Sequence, residues 1–154
     1  MLEREHARIK EALQGGTSGP ASALLPIPAA HSHLFLINDA LAHGRLLCFH
    51  GDRHLPGSRV LKGTFLGKAA KFPAGPFAVA AAHGVPVAIS FVLRTGPLAY
   101  RLQANTTVPA GADTDTIFYR FLAELDTIVH DSPLPWLQYY DFWADDPSRS
   151  AGRS

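Results

Sequence analysis

Cysteine is nearly missing from this chain: Cys48 stands alone in 154 residues. No internal disulfide can form, and such usage fits a reducing compartment. Net charge is almost missing too. A formal +1 gives no overall pull toward nucleic acid, so any attraction for anions has to come from local clusters. No apolar run approaches the roughly 18 residues that a membrane-spanning helix needs, and the opening MLEREHARIKEAL reads as too charged for a signal peptide. Membrane contact is therefore expected to be peripheral, or to be made by sequence outside these 154 residues. The sequence also lacks a Gly-rich phosphate loop, a Gly-x-Ser-x-Gly elbow and a Cys pair, each of which would announce its own chemistry. His50 and His54 flank Gly51-Asp52-Arg53, where they could serve a site; with no third ligand at metal spacing, zinc is not expected, and no cofactor is expected.

What is present describes a globular protein. A hydrophobic share of 47% with 18% charged residues suits one domain with a real core, expected over residues 1–143, with residues 144–154 as a disordered tail. Leu2 to Leu13 reads as an amphipathic helix stopped by Gly15-Gly16. The short apolar step from Leu24 to Ile27 reads as an edge strand or extended crossing, since Pro26 and Pro28 would break a central ladder. Ser32 is placed to cap a helix with Leu34, Ile37, Leu41 and Phe35 as its apolar stripe, ending at His43-Gly44.

The stretch from Gly44 to Arg94 organises the rest. Leu46 to Phe49 reads as a fully buried strand that enters the charged turn Gly51-Asp52-Arg53. A loop from Gly51 to Gly63 follows, then an extended step over Thr64-Phe65-Leu66-Gly67, and a small-residue helix from Pro73 to His83. Val85 to Leu93 is expected to be the second buried strand, completing a strand-helix-strand crossover. Leu98 to Asn105 alternates as a half-exposed strand. Ile117 to His130 is an amphipathic helix burying Ile117, Phe121, Leu125 and Ile128, and PLPWLQYYDFW closes the chain. The predicted fold class is thus α/β, with a mainly parallel central sheet flanked by helices.

Several groups are candidates for chemistry. Asp52 and Arg53 form either a local ion pair in a turn or a grip on an anionic ligand. Arg59, Lys62, Lys68 and Lys71 form a basic run that is either a solvated face or a cradle for a phosphate or lipid headgroup. A histidine with an acid five positions on can remove a hydroxyl proton as that hydroxyl attacks a thioester. Only His6 with Glu11 has the spacing, and on one helix the two would point about 140° apart, so the match reads as chance. Trp136, Tyr139, Tyr140, Phe142 and Trp143 are either a lid on the core or an interfacial belt and acyl-chain wall.

Three features resemble bacterial acyltransferases of the lysophospholipid acyltransferase superfamily, in the branch related to the late lipid A acyltransferases. They are the helix-Gly-strand-Gly-Asp-Arg passage, the Phe-Leu-Gly-x-x-Ala-x-Phe-Pro-x-Gly-Pro passage from Phe65 to Pro76, and the closing Pro133-to-Trp143 pattern. The opening EREHARIKEAL and HSHLFLINDAL are also similar. The resemblance implies a peripheral protein at the cytoplasmic face of the inner membrane. Its activity would move an acyl chain from acyl carrier protein or coenzyme A to a hydroxyl of a lipid or glycolipid. It further implies that Asp52 and Arg53 line the acceptor side, that Phe72, Pro73, Gly75 and Pro76 open a helix whose amides suit an anion, and that Arg59, Lys62 and Lys71 assist. The family holds its His-x-x-x-x-Asp/Glu dyad upstream of the matched region. The chain is accordingly expected to be the C-terminal half of such a domain, without its general base. The rival expectations are a non-catalytic module that binds an anionic lipid surface or partner through the basic loop and aromatic tail, and a partly folded remnant with an exposed sheet edge.

Overall fold

The computed structural model describes residues 33–54, 57–133, 136, 142 and 143. The expected N-terminal helix, the Leu24–Ile27 step, the Ser32 cap, His6 and Glu11, Tyr139 and Tyr140, and the tail from residue 144 lie outside the described residues. The chain divides into two units, Met1–Cys48 and Phe49–Ser154. In the first, helix α1 (His33–Ala42) buries Ile37 and Ala40 while Phe35 is 76% exposed. It ends where expected: Gly44 takes φ 66°, and the amides of Gly44 and Arg45 donate to the carbonyls of Leu41 and Ala40, satisfying the last-turn acceptors.

Among its described residues the second unit is mixed α/β, built from two antiparallel hairpins and two helices. Strands β1 (Val60–Phe65) and β2 (Lys68–Pro73) pair from Val60 opposite Pro73 to Phe65 opposite Lys68. Leu66 and Gly67 join them with φ of 49° and 77°, the two positive values that a tight hairpin turn of matching twist requires. Helix α2 (Gly75–His83) follows, closed by Gly84 at φ 59°. Strands β3 (Val87–Arg94) and β4 (Tyr100–Val108) form the second hairpin, with a register shift between Ile89 and Phe91. Helix α3 (Thr114–Asp131) starts at Asp113, whose side chain accepts from the Thr116 amide.

Two expectations need correcting. Leu46 to Phe49 is not a strand; Leu46 is 87% exposed, Phe49 46%, and Cys48 is exposed rather than buried. A strand exists only through its ladder partner, and among the described residues β3 pairs with β4 alone. Both sheets among the described residues are antiparallel two-stranded hairpins, and no parallel central sheet is found there. Local closure won: turns of two residues (Leu66 and Gly67) and five (95–99) join the strands, at a smaller entropic cost than a crossover. The end of the expected loop, from Val60, and the extended step before Lys68 are therefore β1 and its turn. Strand β3 is half-buried in alternation rather than fully buried.

The core lies where α3 meets the hairpins. Ile117, Phe118, Leu122, Leu125, Ile128 and Val129 line the buried side of α3; Phe121, expected in that stripe, is only half-buried and touches the core from its margin. Each fully buried apolar side chain of this size contributes about 1.5–3 kcal/mol. Phe65 and Phe72 are fully buried, at 0% exposure. The helix approaches β1 so closely that a Cβ on Gly63 would lie 2.5 Å from Leu122 Cδ2. Trp136, Phe142 and Trp143 gather around Phe65, with ring centroids 5.1 to 6.1 Å from it. These three rings act as a lid on the core.

Candidate functional site

Cross-strand register decides which nominated residues meet. Facing residues of an antiparallel pair project to one side, as do residues two apart. Leu61, Gly63 and Phe65 with Phe72, Ala70 and Lys68 thus form the inner face of the β1–β2 hairpin, and Lys62 lies directly opposite Lys71 on the outer face. Lys62 is exposed and Lys71 half-buried. Two like charges face to face disfavour the hairpin by themselves and add to the local positive potential. Lys68 is on the inner side, with Nζ 5.9 Å from the Trp143 ring centroid, a cation–π distance.

Arg59 enters the same region through its backbone, since its carbonyl accepts from the Ala74 amide at 3.0 Å. That bond extends the ladder one step past Val60 and Pro73 and fixes the start of α2. The anion-binding role expected of this helix start is narrower than the sequence suggests. Ala74 has its amide engaged by Arg59, and Pro76 in the first turn has no N–H to offer. Phe72, Pro73 and Ala74 are buried, while Gly75 is exposed.

Asp52 and Arg53 occupy a bend after Phe49. Arg53 Nε lies 3.9 Å from Asp52 Oδ2, with the arginine side chain 53% exposed and the aspartate 21%. Their place is set by Gly51, where a Cβ would stand 2.8 Å from the Phe121 ring. Only glycine lets the backbone lie so close to an aromatic face. The Phe121 ring in turn lies 6.3 Å from Phe72 and 5.4 Å from Phe77. One ring thus separates the charged turn from the segment that opens α2.

The sequence reading missed two open clefts beside α3. One, of about 680 Å³, lies between the first turns of the helix and Thr107 to Pro109 at the end of β4. The other, of about 530 Å³, lies between the helix and the β1–β2 turn. Tyr119 and Ala123 line both, and none of the nominated residues lines either. Two of their three carboxylates have structural work: Asp113 caps α3, with its carboxyl held below the ordinary 3.8 chiefly by the Thr116 amide, and Asp126 Oδ1 accepts from the Leu66 amide at 2.8 Å; Asp115 is the third. Next to them, buried Thr106 donates its hydroxyl to Glu124. The signal for these residues was the polar side of the α3 periodicity, which indicates exposure but not what flanks it.

Among the described residues no group of three or more His, Cys, Asp or Glu side chains is placed to hold a metal ion, and no helix is long and apolar enough to cross a membrane. Comparison with protein-family models, with curated proteins and with solved structures finds no match to this chain.

Proposed function

We propose that this chain supplies the acceptor-side and anion-binding part of an acyl-transfer site. The reaction class moves a fatty acyl group from an acyl carrier protein or coenzyme A thioester to a hydroxyl of a lipid or glycolipid. In this reading Asp52 and Arg53 orient the acceptor or its phosphate, with Arg59, Lys62 and Lys71 adding positive potential. The observation that carries it is the seating of Gly51 on Phe121, whose ring adjoins Phe72 and Phe77; this gathers the charged turn and the Phe72–Pro76 segment around one aromatic surface. No histidine from His33 onward has an acid five positions later. A missing base lowers the rate about 10²- to 10⁴-fold, so the chain alone is expected to bind donor or acceptor without turnover above background.

The test is saturable binding of a long-chain acyl coenzyme A, followed by titration calorimetry, together with thioester release. Binding should weaken about tenfold in Arg53→Ala, the scale of removing a single charge-assisted hydrogen bond. Absence of binding, or binding indifferent to Arg53, sinks the proposal. Robust turnover abolished by His6→Ala would instead make His6 the base.

A second reading, a non-catalytic module for anionic lipid surfaces, is favoured by the charge layout. From Arg53 to Ala112 the chain carries Arg53, Arg59, Lys62, Lys68, Lys71, Arg94 and Arg101 and not one carboxylate side chain. Sedimentation with vesicles, with and without anionic lipid, separates the two readings. Salt-sensitive association without any acyl coenzyme A binding favours the module.

A further inference from the structure

The β3–β4 hairpin presents an apolar outer face that the core does not use. Val92 faces Leu102 and Arg94 faces Tyr100 across the ladder, so these four side chains share one side. Three of them are large and apolar or aromatic yet strongly exposed: Val92 at 64%, Leu102 at 69% and Tyr100 at 65%. Leu98, in the connecting turn, reaches 93%. Single exposed leucines are ordinary, whereas a contiguous group at one end of a hairpin marks a surface that meets something.

The turn is held in this shape. Arg94 donates from Nε to the Gly96 carbonyl at 3.0 Å and from Nη2 to the Pro97 carbonyl at 2.9 Å. The amides of Thr95 and Gly96 donate to the Ala99 carbonyl. Leu98 therefore protrudes from a pinned loop, and presenting it requires no ordering on contact. The same bonds hold a guanidinium beside the apolar tip.

Charge indicates what the tip meets. The hairpin has Arg94 and Arg101 and no acidic residue. The nearest carboxylates known from its packing are on or beside α3, at Glu124 next to Thr106 and at Asp113 and Asp115 near Val108. They stand at the hairpin's other end, six to eight extended residues or roughly 20–25 Å from the tip. A leucine tip, an amphipathic tyrosine and Arg94 on one face, with Arg101 on the other face opposite Leu93 and no acid within the hairpin, suit a bilayer of anionic lipid. There the apolar side chains enter the headgroup boundary, and tyrosine and arginine remain at its polar level.

We propose that the tip and outer face of the β3–β4 hairpin, through Leu98, Tyr100, Leu102 and Val92, dock the protein on an anionic lipid surface. This deepens the lipid readings above and rests on them for the kind of surface. It differs from both in placing the contact away from the basic β1–β2 hairpin and the aromatic lid.

The experiment uses the full chain with vesicles of phosphatidylcholine, with or without phosphatidylglycerol, and an environment-sensitive fluorophore at Leu98→Cys or, as control, Thr127→Cys, both in a Cys48→Ser background. The expected result is a severalfold rise in emission at position 98 on anionic vesicles only, with little change at 127. Leu98→Asp should lower vesicle partition at least tenfold with an unchanged melting curve, because the side chain is already in water. Binding that survives Leu98→Asp but is lost in Lys62→Glu/Lys71→Glu overturns this inference while sparing the lipid readings. No association of the unsubstituted chain with either vesicle overturns the inference, and loss of acyl coenzyme A binding as well overturns the acyl-transfer reading too. Self-association without lipid that Leu98→Asp abolishes also overturns it, since the surface then belongs to a second copy of the chain.

Discussion

Gly63→Ala offers a sharp test of how the second unit is packed. The Gly63 backbone lies outside the left-handed region, so it can admit alanine, but the new Cβ would stand 2.5 Å from Leu122 Cδ2 and 3.2 Å from Phe118 Cζ. Leu122 is 6% exposed and Phe118 1%, so neither can step aside without disturbing the core. Overpacking of this kind costs about 1–3 kcal/mol. Restricting the unfolded chain gives back about 0.4–1 kcal/mol, for a net loss of about 1–2 kcal/mol. Leu122→Ala alone should cost about 2–5 kcal/mol through the cavity it leaves. In the double variant the new methyl occupies part of that cavity, and the pair should be less destabilising than the sum by about 1–2 kcal/mol. Urea unfolding followed by far-ultraviolet circular dichroism measures all four corners. Additivity within about 0.5 kcal/mol, or a Gly63→Ala protein as stable as its parent, would refute the close approach of α3 to β1.

Other outcomes follow from the same geometry. Leu66→Asn should stabilise the protein by up to about 1 kcal/mol, because Leu66 sits at φ 49°, where a branched aliphatic side chain is strained and asparagine is not; an unchanged or lower melting temperature counts against the turn. Asp126→Ala should cost about 0.5–1.5 kcal/mol by leaving the Leu66 amide without its acceptor, and it should speed amide exchange at residue 66 first. Lys62→Glu should gain about 0.2–1 kcal/mol by placing opposite charges across β1 and β2, an advantage that high salt should erase. For Asp113, the folded-state carboxyl titrates below the ordinary 3.8 because it accepts from Thr116. Between the two values the unfolded chain binds more protons. The cap's contribution is therefore complete above 3.8 and disappears as pH falls through the lower, folded value; Asp113→Ala should flatten that part of the stability profile measured between about pH 2 and pH 5.

Elements with a strong local signal were legible in the sequence. Helix α3 follows its apolar period, β4 its alternation, and α1 and α2 their terminal glycines, Gly44 and Gly84. The β1–β2 hairpin was not, because its inward row reads Leu61, Gly63, Phe65 and the glycine interrupts the pattern. The missing side chain is supplied by Leu122 from 59 residues downstream, which no local window contains. Leu46 to Phe49 failed in the opposite sense: apolar character suggested a strand, but pairing depends on partners elsewhere. For the candidate site, the sequence nominated a charged turn and a basic run, and only the register revealed that Lys62 and Lys71 face each other. Gly51 reads locally as a turn residue; its place against Phe121 required the tertiary fold.

The two hairpins share no backbone ladder, and both border α3. Cooperativity in this unit therefore resides in helix burial rather than in a continuous sheet. Opening either hairpin would break its own inter-strand bonds and uncover the core side chains it carries, Phe65 and Phe72 on one and Ile89 and Val108 on the other, but leave the other ladder intact. Amide protons of the two hairpins should accordingly exchange through separate sub-global excursions, ahead of those in the middle of α3. The molecule would loosen from its strands inward, with the helix the last element to give up its protons.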